Sequence, residues 1–87
     1  MSNFIFKVDA ESEEFCLGIV SAMINHFKIT EKEAVGRINR QWANNSFLGD
    51  DDIRYHEDEE FWAFDIYYGS DSIWWKKPAG LTPIPYP

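Results

Sequence analysis

Apolar residues recur at helical spacing from Ser12 to Phe27, at Phe15, Ile19, Ala22, Met23 and Phe27. Cys16, Val20 and Ile24 widen that stripe until most of the segment is apolar, the mark of a helix packed on several sides. Ser12 is placed to cap it. Glu13 and Glu14 follow in the first turn, where the helix dipole favours negative charge. The pattern predicts a first helix over 12–27.

A second helix is predicted over 30–44, through "TEKEAVGRINRQW". Thr30 and Glu33 have capping-box spacing, and Ile29 and Ala34 are placed as a hydrophobic staple. Val35, Ile38 and Trp42 form its apolar stripe, while Arg37 and Arg40 point elsewhere. Asn44 and Asn45 suit its end, because Asn tolerates the left-handed conformation. "FLGDDDIRY" reads as a loop.

The stretch "HEDEEFWAFDIYYG" supports two readings. As a helix over 57–68, Asp58 caps it, Glu59 and Glu60 fill the first turn and Gly69 stops it. As a strand, Trp62, Phe64, Ile66 and Tyr68 share one face, and these residue types favour strands. The caps favour the helix. "NFIFKVDA" alternates like a short strand, but with no clear partner strand it reads better as an arm tucking Phe4 and Phe6 under the domain. "SIWWKKP" is short and either extended or helical. Three of the four prolines fall in the last residues, so 79–87 is expected to lie as an extended, polyproline-like tail on the surface.

The chain thus reads as one mainly α domain over 1–87, a three-helix unit with an aromatic, proline-ended segment across it. The alternative is α+β, with 61–68 as a strand. A domain this small buries a limited fraction of its surface, and large rings are one remedy.

Composition adds an asymmetry. Residues 1–45 carry five Lys/Arg against six Asp/Glu, whereas residues 46–87 carry three against nine. Five aromatic residues lie up to Trp42 and ten after it. The second half is therefore acidic and aromatic together. Repulsion disfavours nucleic acid or anionic lipid as its partner and favours a basic protein. The single cysteine, Cys16, rules out an intrachain disulfide. The N-terminal residues lack the basic and continuous apolar regions of a signal peptide, and no stretch approaches membrane-spanning length. A soluble cytoplasmic protein is the expectation.

Chemical motifs are sparse. A helix-turn-helix reading would send Arg37, Asn39 and Arg40 into a groove, but the chain lacks the basic face that phosphates require. His56 and Glu60 stand four apart and His26 could join them on a metal, yet further ligands are missing. The acids of "GDDDIRYHEDEE" fail the calcium-loop pattern: from Asp50, Tyr55 takes the glycine position and Phe61 the bidentate-acid position. Carboxylates beside Trp74 and Trp75 suggest a sugar platform without fixing an acid–base pair. Cys16 lies on an apolar helix face as inert core. No catalytic residue, metal or cofactor is assigned.

The remaining signal is a protein-binding surface, serving a basic partner or self-association, with an inhibitor- or immunity-type role as one fit. Its candidate residues are Trp62, Tyr67, Trp74 and Trp75, with Asp50, Asp51, Asp52, Glu57 and Glu59 as an acidic rim. Trp74 and Trp75 should not both point inward. One is expected in the core and the other outside, with Tyr67 beside it.

"EAVGRIN", "YHE", "IYYG", the tryptophan pair and the "PIPYP" ending resemble a group of short bacterial proteins with no established activity. The resemblance covers residues 30–87 and transfers no catalytic residue. It implies a small stand-alone accessory protein, of the kind carried by mobile elements.

Overall fold

A computed structural model describes residues 3–86. The protein is mainly α-helical, with helices α1 (Ala10–Phe27), α2 (Glu31–Trp42) and α3 (Glu59–Tyr68). The 61–68 stretch is helix, as its caps indicated: the Asp58 side chain accepts from the Phe61 N–H, and Gly69 ends the helix at φ +98°. Two residue pairs form a minimal parallel sheet, β1 (Lys7–Val8) beside β2 (Ser46–Phe47). The loop reading of "FLGDDDIRY" is corrected by β2 at its start and by a 3₁₀ turn over Ile53–His56.

The N-terminal arm does tuck its rings inward, since Phe4 and Phe6 are buried. It also pairs with β2, so the partner strand judged missing exists, 39 positions on in the register Lys7 to Ser46 and Val8 to Phe47.

The start of α1 departs from expectation. Asp9, not Ser12, is the N-cap. The Asp9 carboxylate accepts from the Ser12 N–H, and the Ser12 hydroxyl accepts from the Asp9 N–H, a reciprocal capping box. Ser12 is fully buried and its hydroxyl donates to the Phe47 carbonyl at 2.6 Å, tying α1 to β2. At α2, Thr30 caps by accepting from the Glu33 N–H. The Glu33 side chain does not complete a box; it turns to Arg37 instead.

Phe47, Ile19, Met23, Ile38 and Cys16 are fully buried at the centre, with Ala34, Ala63 and Ile66 around them. A chain of rings runs through the core, with Trp42 edge-on to Phe6, Phe47 and Trp62, and Tyr55 against both Phe47 and Phe15. Among the described residues, no helix is long and apolar enough to cross a membrane.

The C-terminal segment packs across α2 and α3 without regular structure from Leu81 to Tyr86. The Ile84 N–H donates to the Tyr67 carbonyl at 2.9 Å. Pro87, the last residue of the expected tail, lies outside the described residues.

Candidate functional site

Two faces of the molecule hold its surplus aromatic and charged side chains, and they use them differently. The first is α2. Its "GRINR" run fastens both ends of the chain. Asn39 accepts from the Ile5 N–H and donates to the Asn3 carbonyl. Arg37 donates to the Ile84 carbonyl at 2.7 Å and Arg40 to the Pro85 carbonyl at 3.0 Å. Gly36 leaves a notch for Tyr86, because a Cβ there would collide with the Tyr86 hydroxyl and lie 2.7 Å from its Cζ. The two guanidinium carbons each stand 5.4 Å from the Tyr86 ring.

Arg37 is only 4% exposed and forms an ion pair with Glu33 at 2.8 Å. It does not reach into solvent, so the groove-reading role considered for it has no free guanidinium. It also covers the Tyr67 ring at 4.7 Å. Tyr67 in turn stacks flat on Phe27 at 3.8 Å. The expectation that Tyr67 flanks an exposed tryptophan is therefore corrected: α1 supplies Phe27 and α2 supplies Arg37 against its ring, which is left half-buried.

The second face is formed by α3 and the 3₁₀ turn Trp74–Lys76. Ile73 and Lys77 bracket this turn, both left-handed at φ 55° and 50°. A β-branched residue in that region is strained, and it persists only where its surroundings over-determine it. The surroundings are visible. Asp65, buried in α3, accepts from the Trp74 indole N–H at 3.0 Å and from the Ser70 hydroxyl at 2.9 Å. Trp74 also stacks on Phe64 and meets Phe61, both at 5.3 Å.

Trp74 is thereby spent as the half-buried floor. Trp75, edge-on to it at 5.6 Å, stays 54% exposed. Trp75 is thus the outer ring of the pair, but Trp74 is half-buried and not part of the core, and a 3₁₀ turn separates the two rather than the opposite faces of an extended strand. Phe61, Phe64, Tyr68, Trp74 and Trp75 line a cleft of about 390 Å³, with Glu60 and Lys77 as its charged residues. Glu60 accepts a 2.8 Å contact with His26 Nε2, so the histidine partner of this glutamate comes from α1. His56, four residues away, lies in the turn before the α3 cap. Among the described residues, no group of three or more His, Cys, Asp or Glu is arranged to hold a metal ion.

The other candidate residues sort by location. Trp62 is half-buried and packs on Trp42, its indole N–H donating to the Arg54 carbonyl at 2.8 Å. Glu59 is half-buried, with its Cγ where a Gly18 side chain would otherwise be. Asp52 is held by both Arg54 Nε and Nη2, at 2.9 and 2.8 Å. That guanidinium caps the Phe47 ring at 4.1 Å and donates to the Ser46 carbonyl. Arg54 hydrogen bonding holds the Asp52 carboxyl below its ordinary pKa. Asp50, Asp51 and Glu57 are exposed.

Hydrogen bonds from the Gly49 and then the Ser12 backbone likewise lower the Asp9 pKa. Burial pushes the Cys16 thiol up to about 12, so it is inert core. Sequence reasoning missed Phe61, Phe64 and Tyr68 as cleft walls and Asp65 as the organiser of the turn. The only available signal for Asp65 was a carboxylate inside an otherwise apolar helix.

No family model matches the chain, and no curated protein or solved structure matches it either.

Proposed function

We propose that the protein is a small acidic, non-enzymatic binding module for a basic protein, with the aromatic cleft as its anchor site. The observation that carries this reading is Trp75, 54% exposed at an apolar cleft of about 390 Å³. Leaving an indole in water forgoes its burial, which would otherwise stabilise a small domain. Trp is also among the residues most enriched at interface hot spots.

Charge defines the partner. Glu60 and Lys77 offset each other at the cleft, so an apolar side chain fits its interior better than a free charge. Outside it, Asp50, Asp51 and Glu57 are exposed and no ion pair engages them among the described residues. A partner with an apolar anchor complements the cleft, and Lys or Arg on the same partner would be steered toward the acidic surface.

A capped Lys-Lys-Phe-Lys-Lys peptide is a suitable probe, followed at the Trp74 and Trp75 indole N–H resonances. It should bind, weaken as salt rises and lose its effect in Trp75→Ala. A Glu-Glu-Phe-Glu-Glu peptide binding equally well would defeat the proposal. A small apolar ligand is the second reading, because the cleft volume lies within the roughly 300–1,000 Å³ of small-molecule sites. Binding of an uncharged phenylalanine amide that is as tight as the lysine peptide and indifferent to salt would favour it.

A further inference from the structure

The C-terminal segment is held at two points and little between them. Its first anchor is Trp74, hydrogen-bonded to Asp65. Its second is the Ile84–Tyr86 latch on α2, fixed by Arg37, Arg40, the Tyr67 carbonyl and the Gly36 notch. Residues 78–83 make no hydrogen bond to the rest of the protein among the described residues. Gly80 turns at φ +79°, and a Cβ placed on it would meet nothing within 4 Å.

This free span is nevertheless part of the cleft. Pro78 and Leu81 line the aromatic cleft beside Trp75. The same two residues, with Ala79, Gly80 and Thr82, bound a second cleft of about 400 Å³ over Tyr68 and Ser72. A strap with space on both sides and no bonds of its own takes its position from its ends. One end is the Trp74 turn, which is itself a wall of the cleft. The other is the latch.

We infer that the Ile84–Tyr86 latch sets the Pro78–Leu81 wall, so that tail docking on α2 and occupancy of the aromatic cleft are coupled. Gly36, Arg37 and Tyr86 are then positioning residues for a site they do not line. The inference rests on the cleft being a binding surface. Coupling of this kind is reciprocal: a ligand that needs the wall in place tightens the latch by the same factor by which the latch tightens the ligand.

Gly36→Ala tests this with little risk to the fold, because Ala is a better helix former than Gly, while its Cβ evicts the Tyr86 hydroxyl. Tyr86→Ala releases the same latch without touching the helix. Two quantities are read in the full chain: hydrogen exchange of the Ile84 amide, and binding of the uncharged apolar dye N-phenyl-1-naphthylamine at the Trp74 and Trp75 indole resonances. Both variants should speed Ile84 exchange about tenfold or more and weaken the dye at those indoles about fivefold or more. Faster exchange with unchanged dye affinity overturns the coupling, as does unchanged Ile84 exchange in both variants. Trp75→Ala separates the two readings. If it leaves dye binding intact, the cleft itself is not the site and both readings fall. If it removes dye binding while the latch variants do not, only the coupling falls.

Discussion

The α2 face and the α3 face each gather aromatic rings and charged groups, yet the outer ring of the first, Tyr86, lies beside two guanidinium groups, whereas that of the second, Trp75, is the more exposed. Against α2, Tyr67 of α3 and Tyr86 of the tail are each paired with a guanidinium, and every arginine in "GRINR" has a carbonyl acceptor. On α3, the Phe61 and Phe64 rings and Asp65 hold Trp74, and Trp75 stays in solvent. In a domain this small most rings are needed inside, so aromatic density alone does not identify a binding face. The informative quantity is the ring that remains after the core and the chain ends have been secured.

That contrast makes mutation effects unequal. Phe47→Ala should be the most damaging, at about 3–5 kcal/mol in urea unfolding, because it leaves a cavity beneath Arg54 and beside Trp42. Arg37→Met should cost roughly 2 kcal/mol, since it removes charge-assisted bonds to Glu33 and the tail carbonyl while keeping the apolar stem. Preserved stability in Arg37→Met would mean that α2 does not consume its charges as described.

A smaller effect is expected from pH. Asp9 and Asp52 have lowered pKa values, so the folded state binds fewer protons than the unfolded state in the acid range. Their contribution is therefore present above the ordinary carboxylate pKa of about 3.9 and is lost as pH falls through the folded values. Stability measured by urea unfolding should decline below about pH 5. The decline should be shallower in an Asp9→Asn, Asp52→Asn double variant. An unchanged slope would remove both carboxylates from the account. Smallest of all should be the stability change in Trp75→Ala, within about 0.5 kcal/mol, as for other surface substitutions.

What could be read along the chain was local. Asp58, Gly69 and Thr30 act as caps because capping depends on residues three or four apart, and the helical stripes follow for the same reason. The Asp9–Ser12 box was also local in its spacing. What decides it, though, is the Phe47 carbonyl reaching the Ser12 hydroxyl from 35 residues away. Gly36 looks unremarkable until Tyr86, at the far end of the chain, is seen to need its missing side chain. Tyr67 was assigned outward because helix periodicity does not show what covers a face, and here Phe27 and Arg37 come from two other helices. Asp52, Glu59 and Trp62 were drawn toward a surface by residue type, whereas a clamp, a glycine contact and an indole bond take them inward.

The central claim is that Trp75 is held for a partner and not for the fold. Its most direct test is titration of the capped Lys-Lys-Phe-Lys-Lys peptide into the wild-type protein and Trp75→Ala, at low and high salt, with unfolding midpoints measured on the same samples. The account predicts an unchanged midpoint, salt-sensitive binding in the wild type and its loss in the variant. A variant that binds the peptide as the wild type does, or one that unfolds like a core mutant, would contradict it.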